Sequence, residues 1–225
     1  RYYKDLAKSY KEVLDFDSFI KAVKEEATYA FRTDKSGVFK YYKAGDLGPV
    51  YGYQWRNFGG SGVDQIKNII DTLKINPNDR RLLCVAFNPA DLKDMALPPC
   101  HILFQFYVRK LEDGRLGLSC KWTQRSVDSF LGLPFNIASY AALTYMIAEV
   151  VGMVPDELIG DLGDTHIYMN HMDAVNEQLG RNGYDELPTL KFGREIKDIN
   201  DFKYEDFIIE NYKSDGKISA PLSVG

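Results

Sequence analysis

The sequence predicts an α+β fold: one mixed, mostly antiparallel sheet with helices packed on one face. Two observations carry that expectation. Segments with two-residue alternation, Ile102 to Val108 and Leu116 to Gln124, stand among segments with helical spacing, Asp64 to Leu73 and Ile137 to Ala148. The two kinds mix without strict βα alternation, the pattern of a single sheet with helices laid on it. The composition is globular, with 45% apolar, 13% aromatic and 27% charged residues in a chain of 225. A chain of this length buries roughly 70% of its unfolded surface, enough for a substantial core.

In chain order, residues 1 to 45 read as charged, aromatic-rich helix. Leu6, Tyr10, Val13 and Leu14 recur at helical spacing, as do Phe16, Phe19, Ile20 and Val23. The segment Asp46-Leu-Gly-Pro-Val-Tyr-Gly52 is a turn-rich entry to a second part of the chain. From Asp64, Ile66, Ile69, Ile70 and Leu73 form one apolar helix face, stopped by Pro77 and Asn78. Leu82 to Phe87 is a buried strand. Residues 102 to 108 form a strand expected to be covered on both faces, and 116 to 124 a second one. Glu112-Asp113-Gly114-Arg115 turns between them. Pro134 opens a long helix ending near Gly152. A strand over 164 to 168, a helix over 170 to 179 and a strand over 207 to 211 complete the chain.

Charge and cysteine content exclude several classes. Twenty-eight Lys and Arg against 32 Asp and Glu give a net charge of −4, the wrong sign for a sequence-independent nucleic-acid binder. No apolar run approaches the ~20 residues of a membrane span. Cys84, Cys100 and Cys120 are an odd count without Cys-x-x-Cys spacing, which points to a reducing cytoplasm rather than a disulfide framework. His171 lies five residues beyond His166 and completes no metal-binding pattern.

A few residues could carry chemistry. Pro98 and Pro99 stiffen the approach to Cys100, which would fix a thiol at a strand edge; a thiol there is either a nucleophile or a small core group. His101 would point to the opposite face of the strand. Arg125 beside Ser126 suits a phosphate or a carboxylate, or is a solvated pair. Asn136 in a first helical turn can cap backbone or offer a ligand paired donor and acceptor. Arg80 and Arg81 form a basic pair before a strand. His166 and Tyr168, two apart on a strand, share a face suited to a hydroxyl.

Met95-Ala-Leu-Pro-Pro-Cys-His101, Gln124-Arg-Ser-Val-Asp128, Phe130-Leu-Gly-Leu-Pro-Phe-Asn-Ile-Ala-Ser-Tyr140 and Gly163-Asp-Thr-His-Ile-Tyr-Met-Asn-His171 together resemble thymidylate synthase. Asp46 to Gly52, Asp79-Arg-Arg81 and Ala220-Pro221 fall in matching places, so the resemblance covers residues 46 to 225. Residues 1 to 45 resemble the end of a helical insertion carried by some bacterial members.

The resemblance implies reductive methylation of dUMP to dTMP with methylene-tetrahydrofolate as co-substrate and no metal. Cys100 would add to pyrimidine C6, and Arg125 would hold the nucleotide phosphate and set a positive charge beside the thiolate. Ser126 would join the phosphate site, and Arg80 and Arg81 would reach it from the other subunit of a sheet-to-sheet homodimer. Asn136 would read the uracil edge, and His166 and Tyr168 the deoxyribose hydroxyl. Asp128 would orient the reduced folate, Leu131, Gly132 and Phe135 would line the ligand cavity, and Tyr51, His101 and Gln124 would support the site.

Two family features do not occur in residues 1 to 45: a phosphate-gripping Arg, and a proton-relaying Glu in a Glu-Leu-x-Trp-Phe-like helix. With Arg1 in place of an initiator Met, the expectation is the C-terminal portion of a longer protein, with reduced or no activity by itself. The alternatives are a pyrimidine nucleotide hydroxymethylase, disfavoured in its cytosine version by Asn136 in place of Asp, and a catalytically dead nucleotide-binding module.

Overall fold

A computed structural model of the chain describes residues 29–32, 39–42 and 47–223. Strands β1 (Tyr29–Arg32) and β2 (Phe39–Tyr42) pair antiparallel. This part of residues 1 to 45 is therefore a strand pair where the sequence predicts helix. The expected apolar helix face at residues 6 to 23 lies outside the described residues.

The centre of the molecule is a four-stranded mixed sheet in the order β3-β4-β5-β6, formed by Leu83–Val85, His101–Lys110, Leu116–Asp128 and Val154–His166. The first two pairings are antiparallel and the third is parallel. Turn chemistry fixes the β4–β5 hairpin: Gly114 has φ +85°, a left-handed conformation that favours glycine, and the Asp113 carboxylate accepts from the Arg115 N–H. The parallel β5–β6 pair needs a crossover, and helix α3 (Gly132–Val151) supplies it. Pro134 sits in the first turn of α3, where its missing N–H leaves no helical bond unmade. Gly152 ends the helix at φ 69°.

Helix α1 (Tyr51–Arg56) precedes helix α2 (Gln65–Ile75). The Asp64 side chain caps α2 by accepting from the Lys67 N–H at 2.9 Å. Ile66, Ile69, Ile70 and Leu73 of α2 pack into one cluster with Phe104, Phe106, Leu118, Cys120 and Trp122 of the sheet and Tyr140, Ile147 and Ala148 of α3. Helices thus cover one sheet face, as the sequence predicts.

Among the described residues nothing packs over the other face at Tyr107, whereas the sequence predicts that residues 102 to 108 are covered on both sides. Phe104 is 1% exposed, whereas Tyr107 on the opposite face is 67% exposed.

Strand β6 is far longer than the expected segment at 164 to 168. Val154–His166 is rich in Asp and Gly and carries little apolar alternation. It is held by pairing along the full length of β5 and by two close approaches. A Cβ at Gly160 would lie 2.7 Å from the Trp122 ring, and one at Gly163 2.8 Å from the Arg125 carbonyl. Helix α4 (Met172–Leu179) and the antiparallel pair β7 (Thr189–Phe192) and β8 (Phe207–Glu210) complete the described fold. No helix among the described residues is long and apolar enough to cross a membrane.

Candidate active site

Antiparallel pairing of β4 with β5 brings the start of one strand to the end of the other, with His101 opposite Gln124. Cys100 immediately precedes β4 and is half-buried. Its backbone is clasped from two sides: its N–H donates to the Tyr51 hydroxyl at 2.9 Å, and its carbonyl accepts from the Arg125 N–H at 2.9 Å. The Arg125 side chain folds back on the same turn, donating from Nε to the Pro99 carbonyl at 2.9 Å and from Nη2 to the Pro98 carbonyl at 3.1 Å. Extended geometry forced by the two prolines presents both carbonyls to the guanidinium. Burial pushes the Tyr51 hydroxyl up from its ordinary value, so it remains a neutral phenol at physiological pH.

Behind the cysteine runs a buried polar relay. The Trp122 indole donates to Gln124 Oε1 at 3.2 Å, and Gln124 Nε2 donates to the Ser126 carbonyl at 2.9 Å and to Asn136 Oδ1 at 3.2 Å. Gln124 is 3% exposed, and its bond from the Trp122 indole is fully buried, where water does not compete. The relay orients Asn136: with its oxygen bound to Gln124, its amide group is turned the other way. The His101 ring lies between Tyr51 (5.2 Å) and Tyr140 (5.4 Å). Burial pushes the His101 imidazole below its ordinary value of 6.5, which keeps it neutral.

Asp128 ends β5 and starts the turn into α3. Its Oδ1 accepts from the Phe130 and Leu131 N–H groups at 3.1 and 3.2 Å. Gly132 stands between Asp128 and Asn136: an added Cβ would lie 3.3 Å from the Asp128 side chain and 3.7 Å from Asn136 Oδ1. Parallel pairing sets His166 opposite Asp128 and Asp164 opposite Ser126. The rings of His166 and Tyr168 meet at 5.0 Å.

Cys100, Tyr51, His101, Gln124, Arg125 and Asn136 therefore meet in one place, with Ser126, Asp128, Gly132, Leu131, His166 and Tyr168 along the adjoining ends of β5 and β6. Phe135 shares the first turn of α3 but is 73% exposed. Arg80 and Arg81 are not brought to Cys100 within the chain. Arg81 pairs with Asp79 at 2.7 Å, and the Arg80 carbonyl accepts from Gln105, further along β4.

Two structural residues escaped the sequence reading. Gln54 is fully buried and donates to the Pro49 carbonyl and to Asp91, tying the 47–52 segment to the loop that leads to Cys100. His171, for which spacing gave no role, is also fully buried.

A half-buried cysteine held by its backbone, an arginine folded onto the turn before it, and a carboxamide and a carboxylate near the adjoining strand ends make up the candidate site of an α+β fold with a helix-backed mixed sheet. The family model for thymidylate synthase matches residues 12–224. The chain is 52% identical to the thymidylate synthase of Herpesvirus ateles over 202 residues, covering 85% of this chain and 67% of that protein. It is also 52% identical to the thymidylate synthase of Saccharomyces cerevisiae over 206 residues, with the same coverage. The chain belongs to the thymidylate synthase family, a family of enzymes.

Proposed function

We propose that the protein converts dUMP to dTMP with methylene-tetrahydrofolate as the one-carbon and hydride donor, through covalent addition of Cys100 to C6 of the pyrimidine. The carrying observation is the double clasp on the backbone of the half-buried Cys100, by the Tyr51 hydroxyl and the Arg125 N–H, with the Arg125 side chain folded onto the two prolines just before it. A thiolate adds to an electron-poor ring carbon and leaves it readily, so C5 becomes nucleophilic while the sulfur is bound. Arg125 holds the nucleotide phosphate with Ser126, exchanging its bonds to Pro98 and Pro99 for stronger charge-assisted ones. Asn136, turned by Gln124, reads the uracil amide edge. His166 and Tyr168 take the deoxyribose hydroxyl.

Reduced folate fits the α3 end of the site. Asp128 has one oxygen committed to backbone N–H groups and the other available to a pterin, with Leu131, Gly132 and Phe135 beside it. Arg80 and Arg81, remote from Cys100 in their own chain, serve the phosphate of a second copy. That assigns the open sheet face to a homodimer interface in which each subunit completes the other's site. Free thiols at all three cysteines suit a reducing cytoplasm.

The test is capture of a 5-fluoro-dUMP analogue with methylene-tetrahydrofolate. The expected result is one ternary adduct per chain by intact mass, located on the Cys100 peptide, and none in Cys100→Ser. Product mass then separates methyl from hydroxymethyl transfer. Absence of adduct in the wild-type protein would mean a binding module without chemistry.

A further inference from the structure

The proposed chemistry uses Asp128, His166 and Tyr168 but leaves unexplained the buried imidazole behind them. His171 ends a short turn of 3-10 helix (Met169–His171), and none of its side chain is exposed. Its Nε2 lies 2.8 Å from the Pro221 carbonyl oxygen. That oxygen can only accept, so Nε2 carries a proton and is the donor. Nδ1 is buried without a hydrogen-bond partner, and the charged group facing it is Asp128 Oδ1 at 3.8 Å. The ring also packs on Tyr168 at 5.4 Å and Phe130 at 5.6 Å.

An apolar side chain of similar volume would fill this space without stranding a nitrogen. What the imidazole adds is one donor, and it is directed at a segment with no regular secondary structure. The preceding residue acts on the same segment: the Asn170 side chain both donates to and accepts from the Ser223 hydroxyl, at 2.9 and 3.1 Å. Two consecutive side chains therefore grip Pro221 to Ser223, and the first of the gripped residues is joined through one ring to both Asp128 and Tyr168.

We infer that His171 is a positioning residue that seats the Pro221–Ser223 segment against the rear of Asp128 and Tyr168, coupling the docking of that segment to the geometry of the folate end of the site. The inference rests on the dUMP and folate reading above for its kinetic consequence, and on the structure alone for the contact.

The test uses the full-length protein with His171→Leu, His171→Gln and Ser223→Ala, each also made in a chain ending at Ala220. His171→Leu raises KM for methylene-tetrahydrofolate about ten-fold, the loss expected for one buried hydrogen bond, while the Kd for dUMP stays within about two-fold. His171→Gln, whose amide reaches the same carbonyl, recovers most of the loss. In the shortened chain His171→Leu has no further effect. Equal losses with and without residues 221–225, or a Gln variant as poor as Leu at an unchanged melting temperature, would overturn the assignment. Ser223→Ala is a surface change that leaves folding intact; it raises the same KM about three-fold, and an unchanged KM overturns the assignment even if the His171 variants do not fold. If the wild-type protein makes no dTMP, the functional reading fails separately. Amide exchange across residues 217–223 then decides the contact: faster in His171→Leu and wild-type-like in His171→Gln supports it, and no difference refutes it.

Discussion

The two faces of the central sheet are built from the same strands. On β4, Phe104 and Phe106 are 1% and 2% exposed beneath the helices, while Tyr107 between Phe106 and Val108 is 67% exposed. On β5, Cys120 and Trp122 are buried, while Lys121 between them reaches out to Asp161 on β6 at 3.2 Å. Under the helices, alternation yields a close-packed wall. On the open side the same alternation yields a tyrosine, ion pairs and the flank of Arg125. The site lies where the wall ends, at the start of β4 and the end of β5. The packed face therefore fixes where Cys100, Gln124 and Asn136 stand.

The largest effect that would break this contrast is on the packed side. Phe104→Ala leaves a cavity under α3 next to Trp55 and Tyr140 and should cost about 3–5 kcal/mol in urea unfolding. A cost below about 1 kcal/mol would mean that the face is not the core. On the open side, Tyr107→Glu places a charge at the centre of the proposed interface. It should raise the dimer dissociation constant at least about 30-fold by sedimentation, with far-UV dichroism unchanged; an unaltered dimer moves the interface elsewhere. Between the two stands Gln124→Leu, which strands the Trp122 indole N–H and frees Asn136 to turn. A stability loss of about 1–3 kcal/mol is expected, with a larger proportional fall in the rate of adduct formation at Cys100.

The packed face was legible in the sequence because its signals are local. Alternation in 102–108 and 116–124, the apolar face of α2, the Gly114 turn and the Gly152 stop each operate within a few residues. The open face misled for a physical reason: Leu103 and Tyr107 look like core by composition, and only the lack of a covering layer among the described residues of the same chain distinguishes them. Strand β6 was legible only at its end because its hold on β5 is backbone pairing and glycine contact rather than apolar alternation. Residues 29 to 42 were read as helix although two short stretches pair as strands. At the site, the motif residues lay close in sequence, but the relay from Trp122 through Gln124 to Asn136 joins strand β5 to helix α3. No spacing could show that Gln124 faces Asn136 rather than solvent, nor that a lone His171 meets Pro221.

The smallest effect tests the packed face through its titration. Burial pushes the Cys120 thiol up to about 12 from an ordinary 9.0, and pushes Cys84, on β3 in the same cluster, up as well. Below pH 9 these thiols are protonated in both the folded and the unfolded chain, and the folded state suffers no penalty from them. As the pH rises past 9.0, the unfolded chain releases protons that the folded chain retains, so stability falls through the window between 9 and about 12. The loss should be about 1 kcal/mol per thiol by pH 10. Cys120→Ala and Cys84→Ala should each flatten the decline between pH 8 and 10 by that amount, read as the change in urea midpoint with pH.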